Sequence, residues 1–424
     1  MNTRTLAGTP YRAASDHNWR TQLARNALRR TFAGLRHGRL TLRDDDGSEE
    51  TFGDAQACPE LHGIVEVRHA NLWLDVLANG ALGAGEAYMK GYWTSPDLVA
   101  VVRVFCANLD TLNALDGPLA RAAKPALRTL HWLNRNTETQ ARRNIAAHYD
   151  LGNDMFRLFL DPTMMYSSAI YPREDAGLDE AAVHKLDVVC RKLQLQPGDH
   201  LLEIGTGWGG LAVHAAKHYG CRVTTTTISK AQHEVAVQRA RDAGVADRIT
   251  FLLDDYRVLT GSYDKLVSIE MIEAVGHAWM DTYFEKLSSL LKPQGLALIQ
   301  AITITDQRHD AALKSVDFIQ RYIFPGGFLP CVSSIADRVG RCTDMNIVHS
   351  EDIGVHYAQT LLHWRERFFA NLDAIRRLGY DDTFVRMWDY YLCYCEGGFR
   401  ERVIGTSQVL MAKPRWPGGL ARVS

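Results

Sequence analysis

The run His200-Leu-Leu-Glu-Ile-Gly-Thr-Gly-Trp-Gly-Gly-Leu211 joins an apolar strand, a carboxylate and four glycines. Leu201, Leu202 and Ile204 read as a buried parallel strand. Gly205, Gly207, Gly209 and Gly210 read as a tight turn into a helix that starts near Trp208. Glycines at such a turn let backbone approach a ligand closely and leave helix N–H groups free to bind it. Glu203 sets a carboxylate beside the turn. Nicotinamide and S-adenosylmethionine (SAM) sites both use this device. A nucleotide-like ligand in a parallel sheet sits at the C-terminal strand ends, at the topological switch point. Four strand ends therefore matter. The first gives Gly205, Gly207 and Gly209, and the second gives Thr227, Ser229 and Gln232. That second end holds Thr224 to Thr227 where a simple NAD site would place an acid on the ribose. The third gives Asp255 and Tyr256, and the fourth gives Ile269, Glu270 and Glu273. Two carboxylates three residues apart beyond a strand end can share a pocket, which raises the pKa of one of them. Glu270 is then either an alternative or assisting base, or a carboxylate bonded to an amino group of the ligand or to backbone.

Other chemistries find no support. His214 and His218 stand four apart without the intervening glutamate of a metalloprotease, the histidines form no ligand cluster, and no metal site is expected. No Gly-x-Ser-x-Gly elbow of a lipase is present.

The wording Glu203-Ile-Gly-x-Gly-x-Gly209 resembles the first motif of class I SAM-dependent methyltransferases. With Trp208 and the doubled Gly209-Gly210 it resembles one branch of them, the cyclopropane fatty acid synthases. Further segments follow the same family in order: Asn79 to Trp93, His148-Tyr-Asp-Leu-Gly-Asn-Asp154, Thr163-Met-Met-Tyr-Ser-Ser-Ala169 after Asp161-Pro162, and the Thr-x-Ser-x-x-Gln pattern ending at Gln232. The resemblance implies an α/β fold: a Rossmann-like methyltransferase sheet with a helical cover and a lid insertion, plus a smaller N-terminal α+β domain. It implies SAM contacts at Tyr166, Ser167, Thr227, Ser229 and Gln232, and an adenine-contacting segment at Asp255 and Tyr256. The implied reaction adds a methyl group to a cis double bond in a phospholipid acyl chain, and a bound bicarbonate then removes a proton to close a cyclopropane ring. The bicarbonate pocket falls on Ser168, Glu273, Gln300 and Tyr357. Ser168 stands where the family has cysteine and Gln300 where it has histidine. Ala274 replaces a further histidine, and Glu270 replaces the commoner glycine. Ser and Gln keep hydrogen-bond donors.

The 424 residues, 46% of them hydrophobic, support a large core and more than one domain. A net charge of -1 gives no bulk attraction to nucleic acid. Eight scattered cysteines fit a reducing cytoplasm. No signal peptide and no membrane-spanning apolar run is read, so a lipid would be met from the inner membrane surface by a cytoplasmic, peripherally associated protein. Membrane phospholipids, the transient membrane surface and a second copy of the chain are the partners considered. The expected organisation is a disordered tail over 1–18, an accessory domain over 19–117, a basic linker over 118–143 and a catalytic domain over 144–424. In the linker, Arg121, Lys124, Arg128, Arg135, Arg142 and Arg143 alternate with Leu119, Leu127, Leu130, Trp132 and Leu133; it reads equally as a surface for anionic headgroups or as a solvated helix.

The accessory domain should hold a hairpin around Asp44 to Ser48, a strand over Ile64 to Arg68 and a short helix over Asn71 to Ala78 ended by Asn79-Gly80. Further strands are expected at Cys221 to Ile228, Ile249 to Leu253, Lys265 to Ile269, Leu296 to Ile304 and Arg402 to Met411. Helices are expected near Met280 to Leu291, Tyr357 to Leu378 and Asp382 to Cys395. The apolar insertion over 305–345 reads as a lid over an acyl chain or as a plain packing element. Besides cyclopropanation, the sequence leaves open a methyl-branched or methylene product, a soluble small-molecule substrate, and a non-catalytic lipid-binding protein.

Overall fold

A computed structural model describes residues 18–44, 47–109 and 152–418. Residues 1–17 of the expected tail, the basic linker and His148 to Leu151 lie outside them. The described chain forms two compact units.

The first unit contains described residues up to 109 together with 314–323 and 364–403. Its four-stranded sheet runs in the order β2-β1-β3-β4, with β1 Gly38–Arg43, β2 Glu49–Asp54, β3 His62–Val67 and β4 Trp93–Thr94. β1 and β2 form the expected hairpin, and β1 pairs with β3 in parallel. Helix α1, Trp19–Phe32, starts at Asn18, whose side chain accepts from the N–H groups of Arg20 and Thr21 at 3.0 Å each. Capping of this kind satisfies donors that a helix start leaves unpaired. Helix α2, Asn71–Met89, is two helical runs joined at Gly80, where the sequence places a helix end. Gly80 takes φ 56°, which kinks the helix, and the chain resumes helical turns to Met89. The small residues beyond the kink permit close packing: a Cβ on Gly85 would stand 2.5 Å from the Phe318 ring.

Part of the apolar insertion is therefore core. Phe318 is buried, with its ring centroid 4.6 Å from that of Tyr390, and Tyr322 donates to Glu86 at 2.7 Å. Tyr88 likewise donates to Asp389 at 2.6 Å. Phe318 and Tyr322 act here as packing rather than lid residues.

The second unit holds a seven-stranded sheet in the order β10-β11-β9-β8-β5-β6-β7. The strands are β5 His200–Ile204, β6 Arg222–Thr226, β7 Ile249–Leu252, β8 Tyr263–Ile269, β9 Leu291–Ile304, β10 Asn346–Asp352 and β11 Ile404–Ala412. β5 to β9 pair in parallel, while β11 runs antiparallel to both β9 and β10. This is the α/β methyltransferase sheet that the sequence implied. Both faces are covered. Leu186, Val189 and Cys190 of helix α3, Leu178–Lys192, join Leu201, Leu211 and Val223 on one side. Tyr283, Phe284 and Leu287 join Leu202 and Leu266 on the other. β10 was not expected, because Asn346 to Asp352 has one exposed face after another and carries no buried apolar pattern. Strand order reverses at β5, which opens the ligand crevice at its C-terminal end. Among the described residues, no helix is long and apolar enough to cross a membrane.

Truncating a large buried aromatic costs about 3–5 kcal/mol. Phe318→Ala should therefore destabilise the protein on about that scale in denaturant unfolding. Unchanged stability with altered acyl-chain preference would instead support a lid role.

Candidate active site

The glycine turn follows β5 directly. Gly205, Gly207 and Gly209 adopt φ of 102°, 51° and 84°, a region that favours glycine. A Cβ on Gly209 would meet Ala236 at 2.9 Å, whereas one on Gly207 would project into open space. The turn thus packs tightly on the protein side and stays bare on the ligand side. Trp208 donates its indole N–H to Asn153 at 2.7 Å, which ties the helical cover to the turn. Glu203 is buried, and its Oε2 accepts from the Thr225 hydroxyl at 2.6 Å. Thr206 shares a 2.7 Å bond with the same Thr225 oxygen.

At the second strand end, the Thr227 hydroxyl donates to Gln232 Oε1 at 3.1 Å and accepts from the Ser229 N–H at 3.1 Å. Ser229 caps the helix Lys230–Asp242 through the Gln232 N–H. At the third, both Asp255 oxygens are engaged by the Arg257 guanidinium, at 2.8 and 2.7 Å. Tyr256 is buried with its ring 5.6 Å from Tyr283. Tyr166 lies among the rings of Phe156, Phe159 and Phe324. Ser167 accepts from Lys185 Nζ at 2.9 Å.

The fourth strand end carries the densest chemistry. Glu270 follows Ile269, the last residue of β8, and takes φ 48°. Its Oε1 accepts from the Ser168 N–H at 3.0 Å and from Gln300 Nε2 at 2.7 Å. Its Oε2 accepts from the Tyr357 hydroxyl at 2.8 Å. Three of the four residues expected to form the anion pocket, Ser168, Gln300 and Tyr357, therefore meet, and they meet on Glu270. The Ser168 hydroxyl is not among the donors, because it turns to its neighbour's carbonyl, Ala169 O, at 2.9 Å. Glu273 stands apart from this set. One of its oxygens accepts from the Ile302 N–H, and Oε2 is buried without a hydrogen-bond partner.

Residues 136–409 match the family described as mycolic acid cyclopropane synthetase. The chain belongs to this family. The synthetase-family chain is 39% identical to the tuberculostearic acid methyltransferase UfaA1 of Mycobacterium tuberculosis, covering 91% of this chain and 90% of that one. It is 38% identical to the cyclopropane-fatty-acyl-phospholipid synthase of Escherichia coli, covering 82% and 87%. The crystal structure of the mycolic acid cyclopropane synthase CmaA1, complexed with SAH and CTAB, aligns with a TM-score of 0.60 at 32% identity, over 64% of this chain and 98% of that one. The chain is a SAM-dependent methyltransferase of the cyclopropane synthase type. Its bare, left-handed Gly207 fits the approach of such a cofactor, and Gly205, Gly207 and the Thr227–Gln232 segment are the residues that would hold it.

The bicarbonate that the family resemblance implies does not fit in the same way. Its expected donors, the Ser168 backbone, Gln300 and Tyr357, already converge on the Glu270 carboxylate. A second anion among them would face that carboxylate at contact range, and like charges disfavour one another.

Burial raises the Glu270 pKa, and the Ser168 N–H, Gln300, Lys185 and Tyr357 oppose the rise. Glu273 is pushed up to about 8 by burial and then by the Glu270 charge. Near neutral pH Glu273 thus largely keeps its proton, while the three hydrogen-bond donors around Glu270 favour its charged form. Burial also pushes Glu203 up to about 8, against the Thr225 bond and the Lys185 charge. Lys185 is fully buried, and burial brings it down to about 8 while Glu270, Asp161 and Glu203 support its charge. Lys185 was missed from sequence. Its signal was a lysine on the apolar face of α3, among Ala181, Ala182, Leu186 and Val189.

Gly207→Val should abolish SAM binding in calorimetry while the far-UV spectrum stays native; retained affinity would put the cofactor elsewhere. A second outcome follows from Glu203. A free glutamate titrates near ~4.3, and Glu203 near about 8 in the fold. Between those values the folded state holds the extra proton, so stability falls as pH rises. Thermal melts should therefore decline less from pH 5 to 8 in Glu203→Gln than in the wild type. Parallel declines would contradict this.

Proposed function

We propose that this enzyme uses SAM to methylate the cis double bond of an unsaturated phospholipid acyl chain, and that Glu270 removes the proton that closes a cyclopropane ring. Bound SAM supplies an electrophilic methyl group. The observation that carries the reading is the Glu270 carboxylate at the strand end, held by three donors. Once the alkene electron pair has bonded to the methyl carbon, positive charge is left on the neighbouring chain carbon. Glu270 accepts a methyl proton, and the freed C–H electron pair closes the ring onto that carbon. Glu273, neutral at this pH, adds no competing charge beside Glu270. Similarity to the Escherichia coli phospholipid synthase supports the substrate class.

A second reading ends in a methylene chain or a methyl-branched alkene, when the charge has moved by hydride shift to the methyl-bearing carbon and the proton then leaves from the methyl group or from the adjacent chain carbon. The likeness to the tuberculostearic acid methyltransferase favours it, as do Ser168, Gln300 and Ala274 in place of the usual pocket residues. In either reading the substrate lies in a membrane. The proposed encounter is a reversible, peripheral one at the cytoplasmic face, aided by the basic residues between Arg121 and Arg143.

A positioned base contributes roughly 10²–10⁴-fold. Glu270→Gln should lose turnover on about that scale with SAM affinity intact, while Glu273→Gln, which copies the neutral acid, stays active. Glu270→Gly empties the three donors and removes a side chain from a left-handed φ. It should be inactive alone and recover with added bicarbonate, to which the wild type is indifferent. Lipid mass spectrometry reads the product beside the rates. A wild type that needs bicarbonate, with Glu270→Gln fully active, would overturn the assignment of the base.

A further inference from the structure

A chain of hydrogen bonds leads from Glu270 to a buried lysine that no step above employs. Gln300 on β9 and Gln408 on β11 are both fully buried and stand opposite each other in the antiparallel register. Gln300 donates Nε2 to Glu270 Oε1 at 2.7 Å and accepts at Oε1 from Gln408 Nε2 at 2.9 Å. Gln408 in turn accepts at Oε1 from Lys192 Nζ at 2.6 Å. Lys192 ends α3 with 1% of its surface exposed, and it also pairs with Glu351 on β10.

The direction of this chain is set at its far end. An amide can present either oxygen or nitrogen to a neighbour, and the two are nearly alike in shape. An ammonium group has donors only. Lys192 therefore compels Gln408 to turn its oxygen toward it, which leaves the Gln408 nitrogen for the Gln300 oxygen. Gln300 then has only its nitrogen to offer Glu270. A donor at that position favours the ionised carboxylate, whereas an amide oxygen there would favour the protonated acid.

We propose that Lys192 is a positioning residue that, through Gln408 and Gln300, fixes the amide polarity facing Glu270 and so keeps Glu270 ionised. The catalytic consequence rests on Glu270 being the base, but the polarity relay itself does not. The other groups facing Glu270 are Lys185 from α3, the Tyr357 hydroxyl from the helix Gly354–Ala370, and Glu273 from the turn after β8.

The test reads Glu270 directly. Difference infrared spectroscopy follows its carboxyl band through pH, the band being identified by its loss in Glu270→Gln. Lys192→Met should move that titration upward by about one unit, a tenfold change in the ionisation equilibrium. Gln408→Glu should do the same with Lys192 in place, because a carboxylate at 408 accepts from both sides and draws the Gln300 nitrogen away from Glu270. Lys192→Arg keeps the donor and should leave the titration where it is in the wild type. The acid limb of kcat/KM should follow the infrared shift, with SAM affinity unchanged. An unmoved Glu270 titration in folded Lys192→Met, or a loss of rate equal at every pH, would overturn the relay. Full activity in Glu270→Gln would remove the base assignment alone and leave the infrared result to judge the relay.

Discussion

A carboxylate that stays ionised away from bulk water needs its donors supplied before the reaction begins. Glu270 receives three, from a backbone N–H, an amide and a phenol. Each arises on a different part of the second unit: the cover segment at Ser168, strand β9 at Gln300 and the helix Gly354–Ala370 at Tyr357. The backbone at Glu270 adopts a left-handed φ, which costs a non-glycine residue roughly 1–3 kcal/mol. The donors hold the side chain despite that strain. A glycine would meet the backbone demand more easily, but it would leave three donors facing one another with no anion.

The sheet supplies the geometry. Parallel β8 and β9 place Ile269 beside Gln300, and antiparallel β11 places Gln408 beside Gln300 on its other side. Glu270 adds a bond of its own, donating its backbone N–H to the Gln300 carbonyl at 2.7 Å. Residues 138 positions apart along the chain thus share one polar row at the strand ends. Losing a member of such a row is costly, since an unsatisfied buried polar group costs about 1–3 kcal/mol. Glu273 shows the alternative solution. Burial, and then the Glu270 charge, push it up to about 8, so it is largely neutral near pH 7 and spares the site a second charge.

Much of this was legible in the residues. Four glycines after an apolar strand announced the turn, and alternating strand and helix patterns announced the sheet. The pairing of Glu270 with Glu273 marked the fourth strand end as chemically unusual. Other features left weaker marks. β10 is an exposed edge strand, recognisable only through its pairing with β11. Gly80 carried the signal of a helix end and does break the helix, but nothing in the sequence showed that a second helical run follows directly to Met89. The Ser168 hydroxyl was a donor by residue type, yet its direction depends on the turn that carries it. The filling of the anion pocket was hidden for a similar reason. A glutamate in place of glycine is visible in the sequence, but the direction of its carboxylate is a property of φ and of donors brought from distant segments.

In the proposed reading, Glu270 itself occupies the place where the family resemblance put bicarbonate. A high-resolution crystal structure of the complex with S-adenosylhomocysteine, grown in the presence of bicarbonate, tests it most directly. The Glu270 carboxylate should stand within hydrogen-bond distance of the Ser168 N–H, Gln300 and Tyr357, with no carbonate density between them. A planar carbonate ion bound by those three donors, with Glu270 turned away, would contradict it.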